Sequence, residues 1–349
     1  MEGIELQIIL DDSEKSYFVG EKIKGKVTVV VSEECRCEAL ELYIGVQGLA
    51  DMNEGVNRYK GTFRNDLGRQ MLFQGQWPPD MFTYPFEIEV PLGPGSYKGQ
   101  IIELGWYLRA TACLSHGKGV EAESTLTVFP EKERPGENLD GKPTEVVYRE
   151  TPKRSLGCLG ISLALFLVGT LGAFKTFSSA SETLLGITIF FAVLGLILLI
   201  VSLYTFLVSK RIGMAEVRID SGIVSPGDRV PCSLTFQVNK PVEIKEIHVT
   251  LVCREEAGNV GIHASKKTYR KVISEEKNAL QLPDTMVPAN VPIEVRGEFS
   301  LPPNASPSFT LADNFGNGIA LRWDVKFRMA MERWPDWFYN EKITVLPQI

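Results

Sequence analysis

Two stretches of this chain, one in each half of the sequence, follow a single template. Phe18-Val-Gly-Glu-Lys-Ile-Lys-Gly-Lys-Val-Thr-Val lies over Ser225-Pro-Gly-Asp-Arg-Val-Pro-Cys-Ser-Leu-Thr-Phe, matching Gly20 to Gly227, Glu21 to Asp228 and Ile23 to Val230. Leu42, Ile44 and Val46 find counterparts in Ile247, Val249 and Leu251, and the stretch beginning at Val90 resembles that beginning at Phe299. Leu104, Trp106 and Leu108 line up with Leu321, Trp323 and Val325, and Val128 with Val345. Elements matched in the same order predict two copies of one unit. Within each copy apolar residues alternate with polar ones, and Gly, Pro, Asn and Asp punctuate the runs. That period of two predicts antiparallel strands with one buried face per sheet, and many short strands favour a β-sandwich.

Between the copies lies an apolar block from Leu156 to Val208, broken only by a polar connection holding Lys175 and Glu182. Its halves, 156–174 and 183–208, each approach the roughly 20 residues that cross a hydrocarbon core as a helix. The block therefore predicts a two-helix transmembrane hairpin over 155–209, with a buried helical pair as the alternative. Gly157, Gly160, Gly169 and Gly172 on one helix, and Gly186, Ala192 and Gly195 on the other, would let the backbones approach. Lys153, Arg154, Lys210 and Arg211 flank the spans, so the rule that positive residues stay inside predicts cytoplasmic lobes and termini in a multi-pass membrane protein. The start, MEGIELQIILDD, lacks the basic and apolar regions of a signal peptide. The domains expected are a β unit over 1–130, a polar linker over 131–154, the hairpin, and a second β unit over 212–349.

An apolar strand, a Gly-Glu-x-Ile-x-Gly-x-Val turn, a paired Leu-x-Leu-x-Ile-x-Val strand, then Phe-x-Ile-x-Val-Pro and Trp-x-Leu-x-Ala together resemble the arrestin fold. The resemblance covers most of the chain outside the apolar block. It implies two tandem immunoglobulin-like β-sandwiches and a non-catalytic role in binding other proteins. The family's departures here are three. Its members carry no membrane hairpin between the lobes. The sequence ends soon after EKITVL, without the regulatory tail of visual-type arrestins. The proline-proline-x-tyrosine motif of ubiquitin-ligase adaptors is missing, the nearest string being Pro78-Pro79-Asp80-Met81. Receptor-phosphate sensing and ligase recruitment are therefore not carried over.

Chemistry offers little else. A net charge of -6 gives no case for nucleic acid. Cys35-Arg-Cys37 lacks the further ligands a zinc site needs, and the six cysteines read as free, mostly buried thiols. His116, His248 and His263 stand apart from any serine elbow or phosphate-cradling loop, so neither an enzyme nor a cofactor is expected. Two surfaces remain. Lys22, Lys24 and Lys26 project from one face of a strand, either as a solvated face or as contacts to anionic headgroups. The stretch from Arg333 to Asn340 brings together Trp334, Trp337, Phe338 and Tyr339, either packed under the lobe or offered as a partner or interface contact.

The resulting expectation is a membrane-anchored adaptor or scaffold that binds cytoplasmic or membrane proteins. Its rivals are a membrane-organising or stress-related protein self-assembling through the hairpin, an enzyme with a site between the lobes, and a reversed topology. The last would place disulfides among Cys35, Cys113, Cys232 and Cys253.

Overall fold

The computed structural model describes residues 3–12, 16–54, 57–115, 119–129, 146–150, 163–164, 166–167, 170–171, 182–260, 268–314 and 316–347. The chain is mostly β, in several sheets arranged as in a β-sandwich protein. The first lobe contains β1 (Ile4–Leu10), β2 (Tyr17–Phe18), β3 (Lys22–Val31), β4 (Cys35–Glu54), β5 (Asn57–Trp77), β6 (Asp80–Glu89), β7 (Tyr97–Lys98), β8 (Ile102–Leu114), β9 (Val120–Leu126) and β10 (Val128–Phe129). One layer is β1-β3-β6 and the other β5-β4-β8, with β7 and β9 also on β8. The alternation read from the sequence sets the layers: Ile23, Val27 and Val29 of β3 face inward while Lys22, Lys24 and Lys26 face out.

The second lobe begins with β11 (Val146–Glu150), drawn from the stretch expected to be linker. It continues after α1 (Glu182–Arg211) with β12 (Ile212–Ile219), β13 (Ile223–Val224), β14 (Arg229–Val238), β15 (Val242–Asn259), β16 (Thr268–Leu280), β17 (Met286–Val287), β18 (Pro292–Ser300), β19 (Phe309–Ala312), β20 (Asn317–Met331) and β21 (Trp337–Val345). Its layers are β11-β12-β14-β18 and β13-β21-β20-β15-β16.

The sequence repeat recurs in the hydrogen bonding. Gly20 and Gly227 hold φ of 82° and 86°, a region where a side chain would strain the backbone. The Glu21 carboxylate accepts from the Phe18 amide at 3.1 Å, and that of Asp228 from the Ser225 amide at 2.7 Å. Trp106 Nε1 donates to the Pro94 carbonyl and Trp323 Nε1 to that of Ser306, both at 2.9 Å. The cross-strand register corrects one match. Trp106 lies opposite Val46 and Trp323 opposite Cys253, so Val46 corresponds to Cys253 rather than to Leu251. A slip of two residues leaves inward and outward faces unchanged, which is why alternation alone could not detect it.

The transmembrane expectation is not upheld. Among the described residues, no helix is long and apolar enough to cross a membrane. Of the first expected span, only 163–164, 166–167 and 170–171 are described, and they are helical. The second expected span belongs to α1, which runs straight into β12, and its last turns are spent on protein contacts. There Ser202 and Val208 are buried, the Tyr204 hydroxyl donates to the Asp336 carbonyl, and the Arg211 guanidinium sits 3.8 Å from the Trp334 ring centroid. Uncharged length was the whole basis of the two-span reading. The multi-pass placement of lobes and termini built on it falls with it. Upstream on α1, Phe190, Ile200 and Val201 remain more than half exposed.

Candidate functional site

The residues singled out by sequence separate into structural and exposed groups. Trp337 is 2% exposed and opens β21, where it belongs to the core, and Tyr339 stacks on Tyr148 of β11 with centroids 4.4 Å apart. Trp334 is partly buried in the turn and carries Arg211, whereas Phe338 is 59% exposed. The aromatic stretch thus joins the end of α1 and strand β11 to the second lobe. Lys22 and Lys24 both pair with Glu87, at 2.6 and 3.2 Å, so this strand face is partly neutralised by its neighbour β6.

The cysteines form no disulfide among the described residues: Cys37, Cys232 and Cys253 are buried, Cys35 half-buried and Cys113 exposed. Burial pushes the Cys232 and Cys253 thiols up to about 12, which keeps them protonated and poorly nucleophilic. His116, His263 and Cys158 lie outside the described residues.

His248 on β15 is 5% exposed, and burial lowers its pKa, aided by Lys277 and Arg328 and opposed by Glu246 and Asp336. The folded chain therefore resists a proton that the unfolded chain accepts below the ordinary value of 6.5. Stability is expected to fall as pH drops through that value, and to stop falling for this reason below the depressed folded pKa. Urea midpoints at pH 7.5 and 5.5 should differ less in His248→Gln than in the parent; an equal difference would remove His248 from the acid response.

Two features of the site were not read from the sequence. The first is the junction between the lobes. Glu255 of β15, fully buried, reaches into the turn between β7 and β8 of the first lobe. Its carboxylate accepts from the Tyr97 hydroxyl at 2.7 Å, from the Gln100 amide at 2.9 Å and from the Ile101 amide at 2.6 Å. Burial, then the Glu255 carboxylate itself, raises the Tyr97 pKa well above the ordinary phenol range, so the hydroxyl keeps its proton for this bond. Gly99 makes the approach possible, since a Cβ there would collide with the Glu255 carboxylate. By register, the first-lobe counterpart of Glu255 is Gly48, and it packs under Ile319 and Leu311 of the second lobe. Tyr97 and Phe309, themselves counterparts, meet edge to face at 5.5 Å. Equivalent positions thus face one another about a pseudo-two-fold axis.

The second is a pair of equivalent clefts. One, of about 480 Å³, opens on the first lobe over Gln47, Gly105, Tyr107 and Thr125. The other, of about 300 Å³, lies over Arg322, Thr310 and Lys342 of the second lobe. Each adjoins a tryptophan tied to the loop before it, Trp106 or Trp323. Around Arg322 the surface is ionic: Glu256, 3% exposed, pairs with Arg254 at 2.9 Å, Arg270 at 3.0 Å and Arg322 at 2.8 Å, while Arg254 also reaches the fully buried Asp324 at 2.7 Å. In the first lobe the corresponding Tyr107 hydroxyl donates to Asp66 at 2.6 Å, and Arg109 pairs with the same carboxylate at 2.7 Å. Among the described residues no group of His, Cys, Asp and Glu is placed to hold a metal ion. The copies differ here, Glu255-Glu256 standing where the first has Gly48-Leu49, but that match appears only once the register is known.

No protein-family model matches this chain, and no curated protein does.

Proposed function

We propose that this protein is a non-catalytic binding scaffold of the arrestin-like kind, two related β-sandwich lobes that present a fixed surface to protein partners. The observation that carries the reading is the inequality of the two clefts. A repeated fold has no structural need for a larger cleft in one copy, and the first lobe keeps it open beside β9, a strand paired on one edge only among the described residues. An unpaired strand edge offers amides and carbonyls to an extended segment, and side-chain clefts beside it supply selectivity. The lobe junction supports the same reading, because a surface held rigid loses less entropy on binding. Arrestin likeness rests on the turn and strand motifs and on the tandem lobes, a fold-level analogy.

A photo-crosslinking residue placed at Glu121 of β9, in the full-length protein in its own cells, tests the reading. A discrete adduct to another protein, lost when Gly105→Trp fills the cleft, is the expected result. Adducts unaffected by Gly105→Trp, or none, would overturn it. Adducts between copies of this chain alone would favour self-association, a reading for which the exposed Phe190, Ile200 and Val201 of α1 speak.

A further inference from the structure

Strand β11 belongs to the second lobe but not to the repeated unit. By register, β12 is the counterpart of β1: Val217 lies opposite Leu234 as Ile8 lies opposite Val27. Beyond β12 the layer is extended by β11, whereas among the described residues no strand lies beyond β1. The first lobe therefore forms its two layers without such a strand. What β11 covers is also particular to the second lobe. It pairs antiparallel with β12, Val146 opposite Ile219 and Tyr148 opposite Val217, and it bridges to the other layer where Tyr148 stacks on Tyr339 of β21. Tyr339 lies opposite Phe327, and at the same place the first lobe has Ala122 opposite Ala110. Beside β11, Ala215, Val217 and Ile219 of β12 are fully buried. The side of the second lobe between β12 and β21 is thus a groove, and the chain itself fills it with Val146–Glu150.

The fit is incomplete. β11 is five residues long against the eight of β12, so among the described residues 212–214 have no strand partner on that side. Val147 and Tyr148 remain exposed. The connection to β12 is indirect, since the apolar block and α1 lie between them in the chain. We propose that this groove is a binding site for an extended segment of a partner protein, and that β11 is its resident occupant, displaced when the partner binds. The resident states the chemistry of the ligand: an aliphatic residue, one outward residue, then a large ring to stack on Tyr339. Main-chain bonds to β12 supply affinity and the ring supplies selectivity. The β11 of a second copy is a poorer occupant, because it would exchange identical contacts and give up the high local concentration of a tethered strand. The groove lies on the other lobe from β9, so the inference goes beyond the reading above.

The test uses the full-length protein and a fluorescent heptapeptide, Glu-Val-Val-Tyr-Arg-Glu-Thr, copied from 145–151 of this chain, with a control in which Ala replaces Tyr. Anisotropy titration of the parent should show saturable binding of the tyrosine peptide and at least about tenfold weaker binding of the alanine peptide, the loss of the stacked ring. Tyr148→Ala, shown to be folded by circular dichroism, weakens the internal competitor and should bind the tyrosine peptide at least about tenfold more tightly than the parent. Val147→Cys combined with Arg218→Cys places two thiols on residues that face each other across β11 and β12, a spacing a disulfide can span. Oxidation of that variant should abolish peptide binding and reduction should restore it. No saturable binding to the parent, equal binding of both peptides, or binding that survives oxidation of the paired cysteines would overturn the proposal. Covalent dimers formed by the double-cysteine variant and not by the parent would place the strand of one copy in the groove of another, and would overturn the partner assignment in favour of self-association. The β9 reading stands or falls on the Glu121 adduct, so the two can fail separately.

Discussion

Glu255→Ala is expected to separate the unfolding of the two lobes. The substitution leaves the Tyr97 hydroxyl and the Gln100 and Ile101 amides facing a void. Each buried donor left without an acceptor costs about 1–3 kcal/mol, and bonds to a charged acceptor lie at the upper end of that range. The junction should therefore weaken by several kcal/mol, on the order of 3–6 if the turn relaxes to recover part of the loss. Calorimetry reads the outcome: the parent should unfold with coupled lobes, and Glu255→Ala should show two resolved transitions. Glu255→Gln, which keeps the shape but turns an amide group toward amide donors, should fall between them. Gly99→Val should reproduce the split by pushing the carboxylate out from the other side. A single unshifted transition in Glu255→Ala would mean that apolar contacts around Tyr97 and Phe309 hold the lobes together without it.

Trp337→Ala is expected to cost about 3–5 kcal/mol, the range for removing a large buried aromatic, whereas Phe338→Ala should cost less than about 0.5 kcal/mol as an exposed substitution. The neighbours differ because β21 alternates: Trp337 points into the core at 2% exposure and Phe338 points outward at 59%. Urea titrations of the two variants make the comparison. Similar losses would show that the outward face of β21 is also packed.

These two results bear on how much a single sequence discloses. The turns at Gly20 and Gly227 were legible because a backbone at φ above 80° and a carboxylate accepting from the amide three residues earlier both leave residue-type signatures. The inward faces of β3, β8 and β20 were legible because alternation reports burial directly. The aromatic stretch was legible as unusual but not as divided, since a run of large rings does not say where a strand begins. Had the period of two been extended back from Lys342, it would have assigned Trp337 to the inside. The apolar block misled because an uncharged run states only that a helix avoids water. At Ser202 and Val208 that avoidance is met by burial, and Tyr204 and Arg211 beside them bind Asp336 and Trp334 of the second lobe. Glu255 was illegible, because its partners, the Tyr97 hydroxyl and two main-chain amides, belong to another lobe, and such a contact leaves no mark on the local pattern. Gly105 looked like one more outward position; only the register shows that it stands where the second lobe has Arg322.

The junction also decides which halves fit together. About the pseudo-two-fold axis, small Gly48 faces large Leu311, while large Glu255 faces small Gly99. In both contacts the first lobe supplies the small residue and the second lobe the large one. Two first lobes from different chains would bring Gly48 to Gly99 and leave a hole on both sides of the axis, with the turn amides unmatched. Two second lobes would drive Glu255 against Leu311 twice, burying a pair of carboxylates without donors. Only a first lobe with a second lobe closes both contacts. The repeat that made this chain thus carries its own guard against mispaired halves during folding, when identical sandwiches in tandem would be most prone to exchange partners.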